Sequence, residues 1–172
     1  DRMIQVARTA GSDVILVTPA ANMKDFSPFK SLHSERLNDS GRAQYSNLVS
    51  AADELETEGK IDQALKSLEA AEQIDALRAD LHFRRGRLLF EKKQFAEARI
   101  AFQQAIEKDI CPLRASAEIQ HCVEQAAIEN HIPLVDFNSV LETACLTSHG
   151  HTSPGHEYFL DHVHPTASAH RL

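Results

Sequence analysis

Near its C-terminal end the sequence reads FLDHVHPT, residues 159–166. Asp161 and His164 stand three apart, His162 lies between them, and Pro165 follows. A carboxylate three residues before an imidazole on a short turn can fold back onto the inner ring nitrogen. It then fixes the tautomer and stabilises the imidazolium, and the outer nitrogen is left to act as a general base. Two other readings of the stretch are open. His149, His151, His156, His162 and His164, with Asp161, carry imidazole and carboxylate groups of the kind that bind zinc. No HExxH or other regular ligand spacing organises them, however. The third reading is a solvated polar loop. The dyad is the working expectation, with no metal and no cofactor.

A base needs something to activate. The three cysteines, Cys111, Cys122 and Cys145, are odd in number and form no CxxC pair. They indicate neither a disulfide framework nor a zinc knuckle and read as buried or bystander thiols. SPG at 153–155 lacks the glycine two residues before the serine that a nucleophile elbow requires.

The flanking elements decide how such a dyad would be held. Residues 1–9 carry apolar side chains at helical spacing, and Gly11 can end that helix. VILV at 14–17 is a continuous apolar, largely β-branched run, typical of a strand covered on both faces, and Pro19 closes it. AANMKDFSPFKSLHSE reads as an irregular loop, with PFK at 28–30 placed to border a substrate. IPLVDF at 132–137 has the character of a second central strand. A loop rich in Gly, His, Ser and Thr follows at 147–156, and Thr166 can cap a last helix.

Between the strands, from about 35 to 130, the pattern is helical and repeats itself. Ala64 aligns with Ala98, Leu68 with Phe102, Ala71 with Ala105, Asp75 with Asp109, Gly59 with Lys93, Ala52 with Gly86 and Leu55 with Leu89, each pair 34 residues apart. An offset of ~34 with small residues at these places resembles the tetratricopeptide repeat (TPR) over roughly residues 45–112. His82 stands where that family usually has an aromatic residue, and Pro112 comes slightly late. Small residues let antiparallel helices approach, and Leu68 and Phe102 fill the space between pairs. The resemblance implies a groove lined by Phe83, Arg87 and Phe90, open to a protein or peptide. The helix at 113–130 can cap the array.

Asp-x-x-His-Pro at the end of an α/β region resembles the last conserved block of the SGNH (GDSL-like) hydrolases, with Asp161, His164 and Pro165 as the matching residues. VILVTPAAN and VDF look like the strands that lead up to that block. The resemblance implies a serine esterase in which Asp161 orients His164, and His164 serves as base and then acid. The family's Gly-Asp-Ser block is not recognisable: GSD at 11–13 has the wrong order and NDSG at 38–41 follows no strand. The serine and the oxyanion donors are therefore expected upstream of Asp1.

The expected fold is predominantly α, with TPR-like hairpins flanked by α/β elements of an incomplete doubly wound SGNH-like sheet. Residues 1–34 and 131–172 form the hydrolase-like portions, and 35–130 the helical insertion. The chain starts at Asp1 and shows no signal peptide, and it reads as a piece of a longer protein. A net charge of −7 disfavours nucleic acid, and no apolar run approaches the ~20 residues of a membrane span. The expected partners are a protein or peptide at the array and, for the longer protein, an ester. The competing expectation is a non-enzymatic TPR interaction module.

Overall fold

The computed structural model describes residues 2–172. Its helices are α1 (Arg2–Thr9), α2 (Asp39–Thr57), α3 (Ile61–Ile74), α4 (Ala79–Glu91), α5 (Phe95–Glu107), α6 (Ala117–Glu129) and α7 (Phe137–His149). Two strands, β1 (Leu16–Val17) and β2 (Leu134–Val135), and a closing 3₁₀ turn at Ala169–Arg171 complete it. The chain forms two compact units: the residues up to Asn22 with Arg114–Leu172, and Met23–Leu113. α6 lies in the first unit, and the 23–38 segment in the second.

Met23–Leu113 is built from two helical hairpins. The Asn38 side chain starts α2 by accepting from the Gly41 N–H at 2.8 Å. α2 and α3 are joined by residues 58–60, α4 and α5 by 92–94, links short enough to turn each pair antiparallel. Both links turn through a left-handed residue, Gly59 at φ 73° and Lys93 at φ 61°. Both close with a returning bond, Lys60 N–H to Leu55 O at 2.8 Å and Gln94 N–H to Leu89 O at 2.9 Å. The repeat seen in the sequence is therefore a repeat in backbone geometry.

The core of this unit holds the aligned residues. Ala52, Ala64, Leu68, Ala71, Ala98 and Ala105 are fully buried, and Phe102 is 1% exposed. Burying a side chain the size of Leu68 or Phe102 contributes roughly 1.5–3 kcal/mol. Gly86 is required by contact: a Cβ there would lie 2.6 Å from the Phe102 ring. His82, at the usual aromatic place, is 1% exposed and its Nε2 lies 2.8 Å from the Ala76 carbonyl, to which it donates.

A strap from the 23–38 segment is tied to the hairpins at the same period. Asp109 accepts from the N–H groups of Phe29 at 2.7 Å, Lys30 at 3.0 Å and Cys111 at 3.0 Å. Asp75, its counterpart, accepts from Ser34 N–H and Leu77 N–H at 3.1 Å each and meets His33 Nδ1 at 2.7 Å. PFK is thus anchored to the hairpins through the backbone.

In the first unit, β1 and β2 pair in parallel, Leu16 beside Leu134 and Val17 beside Val135. The doubly wound sheet expected from the sequence is not supported: these two strands, of two residues each, are all the sheet among the described residues. The physical reason is the missing cover. A parallel sheet needs both faces buried, yet Ile15 is 62% and Val17 50% exposed, and two strands alone are marginal. α1, β1 and α6 instead surround an open apolar trough of about 400 Å³, lined by Met3, Ile4, Leu16, Ile119, Val123 and Ala126. The helix expected from Thr166 is a single 3₁₀ turn, although Thr166 Oγ1 does accept from Ala169 N–H at 3.2 Å.

Candidate functional site

The 158–166 loop closes on itself before it presents any chemistry. Phe159 and Pro165 form an antiparallel bridge. Leu160 N–H donates to His164 O at 2.8 Å and Thr166 N–H to Tyr158 O at 2.9 Å. Tyr158 and Phe159, 8% and 2% exposed, root the loop in a core with Leu141, Cys145 and Ala169. The turn between these ties carries Asp161 and His164.

Within the turn, one oxygen of Asp161 accepts from Val163 N–H at 2.9 Å and His164 N–H at 2.8 Å. The other lies 2.7 Å from His164 Nδ1. The Val163 N–H, then the His164 N–H and imidazole, hold the Asp161 carboxyl well below the usual carboxylate range. An ionised Asp161 accepts only, so Nδ1 carries the proton and Nε2 keeps its lone pair. The His164 side chain is 71% exposed. The structure thus brings the two residues singled out in the sequence into one hydrogen-bonded pair with an accessible ring. Among the described residues no serine is hydrogen-bonded to that ring.

Asn22 holds this turn from the β1 side, a role the sequence did not reveal. It is fully buried. Its N–H donates to His162 O at 2.9 Å and its side-chain amide to Asp161 O at 3.2 Å. Buried Arg114 in turn donates to Asn22 O at 3.2 Å. Thr18 and Asn138 tie the same post-strand stretch to the start of α7: Thr18 Oγ1 donates to Asp136 at 3.1 Å, and the Asn138 amide donates to Pro19 O at 3.3 Å. His162 takes part through its carbonyl, while its ring stays 3.7 Å from Asp161. A polar residue buried in a loop leaves no periodic trace. The only available signal was an Asn soon after a strand.

On the hairpins, Phe83, Arg87 and Phe90 share one face of α4. Phe83 and Phe90 are half-buried, with rings 5.7 Å and 6.4 Å from Phe102, and Phe90 lies 4.9 Å from Phe95. Lys24 Nζ stands 5.7 Å over the Phe90 ring. Arg87 remains exposed, with Nη2 3.5 Å from Glu56 of α2. The aromatic pair packs against Phe102 and Phe95, while Arg87 and Arg84 meet Glu56, and Arg84 also meets Asp53, at the surface. Of the loop histidines, His151 is buried with Nδ1 3.1 Å from Cys145 Sγ, a pairing the sequence reading did not assemble.

Residues 79–109, which span α4 and α5, match the family Tetratricopeptide repeat. A TPR repeat is therefore present in the chain. The α2–α3 hairpin repeats its link geometry and buried positions one period earlier. No curated protein and no solved structure matches the chain. No comparison supports an SGNH hydrolase.

Proposed function

We propose that the chain acts as a protein-interaction module, binding a partner on the α2–α4 face of its TPR hairpins. The repeat match at 79–109 carries this reading, because stacked hairpins of this kind form extended binding surfaces. Arg87 and Arg84 of α4 meet Glu56 and Asp53 of α2 on that face, and the half-buried Phe83 and Phe90 pack beside them. The test is affinity capture with wild type and with Arg87→Glu, followed by binding of the purified candidate partner. A partner that binds wild type at least about tenfold more tightly than the variant supports the reading, a difference of ~1.4 kcal/mol. Equal binding refutes it.

A second reading rests on a different observation, the 2.7 Å pair of Asp161 and His164. In it, these residues form the acid–base half of a serine esterase. His164 Nε2 would take the serine proton and return it to the leaving alcohol. Asp161 would hold the ring and stabilise the imidazolium. The serine and oxyanion donors would come from residues outside Asp1–Leu172. The test is hydrolysis of a short-chain aryl ester by a chain extended upstream of Asp1, with and without His164→Ala. Equal rates would refute this reading and leave the first untouched.

A further inference from the structure

A second cluster of reactive side chains lies in the first unit and shares no residue with the Asp161–His164 pair. α7 places Cys145 in its last turns, fully buried. The helix stops at Gly150, whose φ of 75° turns the chain back on itself. The reversal brings His151, 8% exposed, against Cys145, with Nδ1 3.1 Å from Sγ. Glu157 completes the group, with Oε1 3.7 Å from Sγ. All three ligand atoms lie within 4.8 Å of one another. Ser153, in the same loop, is fully buried, and its backbone N–H lies 3.4 Å from His151 Nδ1.

We propose that Cys145, His151 and Glu157 form a binding site for a single zinc(II) ion. The donor set is chemically matched: a thiolate, an imidazole and a carboxylate are all zinc ligands, and the thiolate disfavours hard cations such as magnesium and calcium. The spacing fits as well. Ligand atoms set tetrahedrally at ~2.3 Å for sulfur and ~2.1 Å for nitrogen or oxygen lie about 3.5 Å apart, against 3.1 Å and 3.7 Å here. Charge balances, because Zn²⁺ meets one thiolate and one carboxylate and the bound thiol releases its proton to solvent. The His151 ring binds neutral, through Nδ1. A nucleophilic Cys–His pair is the wrong reading of this geometry, since a fully buried sulfur is closed to substrate. The ion would lock the end of α7 to the 151–157 loop that leads into the 158–166 turn.

The test uses the purified chain, treated with a chelator and titrated with Co²⁺ and then Zn²⁺. The expected result is one equivalent of Co²⁺ with a thiolate-to-cobalt charge-transfer band, displaced by Zn²⁺. Cys145→Ser should abolish the band, and Cys122→Ser, at an exposed cysteine, should keep it. Glu157→Gln should weaken binding by about tenfold or more. In case Cys145→Ser does not fold, thermal melts give the same answer: one equivalent of Zn²⁺ should raise the midpoint of wild type and of Cys122→Ser, and raise that of Glu157→Gln less. The absence of the band in folded wild type overturns the proposal. So does a band that persists in Cys145→Ser, or a wild-type midpoint that one equivalent of Zn²⁺ leaves unchanged.

Discussion

Asp161 grips His164 twice: one carboxylate oxygen accepts its main-chain N–H at 2.8 Å, and the other meets its ring Nδ1 at 2.7 Å. The backbone bond fixes where the ring begins, and the side-chain bond fixes how it is turned. Neutral His164 should therefore carry its proton on Nδ1. Long-range ¹⁵N–¹H spectra should show that tautomer in wild type and a mixture in Asp161→Asn. The same tautomer ratio in both proteins would mean that the carboxylate does not orient the ring.

Asp75 and Asp109 should act as equivalent clamps on the 28–34 strap. Each loses three hydrogen bonds on replacement by alanine, and bonds to a charged group are worth more than neutral ones. Either substitution should cost about 2–3 kcal/mol in denaturant melts. Hydrogen exchange should locate the loss, at Phe29 and Lys30 for Asp109→Ala and at Ser34 for Asp75→Ala. Burial pushes the Asp75 carboxyl up, but His33 and the Leu77 and Ser34 N–H groups outweigh it and hold the group below its ordinary value. Its contribution is thus complete above the unfolded carboxylate value of ~3.9 and is lost as pH falls through the lower folded value.

The two hairpin links make opposite predictions for glycine. Gly59 and Lys93 both sit in the left-handed region, and among the described residues nothing beyond its chain neighbours lies within 4 Å of a Cβ built at Gly59. Gly59→Ala should then cost about 1 kcal/mol from backbone strain alone, and Lys93→Gly should gain roughly 0.5–1 kcal/mol. Thermal midpoints of both variants check this. A loss of stability in Lys93→Gly would contradict it.

His82 should make the array sensitive to mild acid. Burial chiefly holds its imidazole below the ordinary value, against the opposing Ala76 carbonyl and Glu72. The unfolded chain binds this proton near pH ~6.5, before the folded chain does, so stability falls as pH drops below that value. His82→Phe should flatten this limb between pH ~6.5 and the lower folded value, as read from urea midpoints across the range. An unchanged pH slope would show that His82 is not the titrating group.

The parts legible in the sequence are those with a period or a short reach. The 34-residue offset identified both links, the buried alanines and the paired aspartates, because each hairpin repeats the same packing problem. Asp161 and His164 were legible because three residues of separation lets one turn join them. The sheet was misread: VILV and IPLV have the composition of covered strands, but composition does not say whether a cover is present. Asn22, 139 residues from Asp161, and Arg114, 92 from Asn22, were invisible because their contacts are long-range and carry no periodicity. Cys145 and His151 were seen one at a time and Glu157 not at all, and only the reversal at Gly150 brings them together.

The most direct measurement of the central claim places a photo-reactive side chain on the α2–α4 face. Arg87→p-benzoylphenylalanine reports what that face touches, and Glu69→p-benzoylphenylalanine, at an exposed position on α3, serves as the control. Irradiated in an extract of source cells, the Arg87 probe should cross-link to a discrete protein that the Glu69 probe does not capture. That protein, once purified, should bind wild type and lose affinity for Arg87→Glu. Equal labelling from both positions, or no cross-link from Arg87, would contradict a binding role for this face.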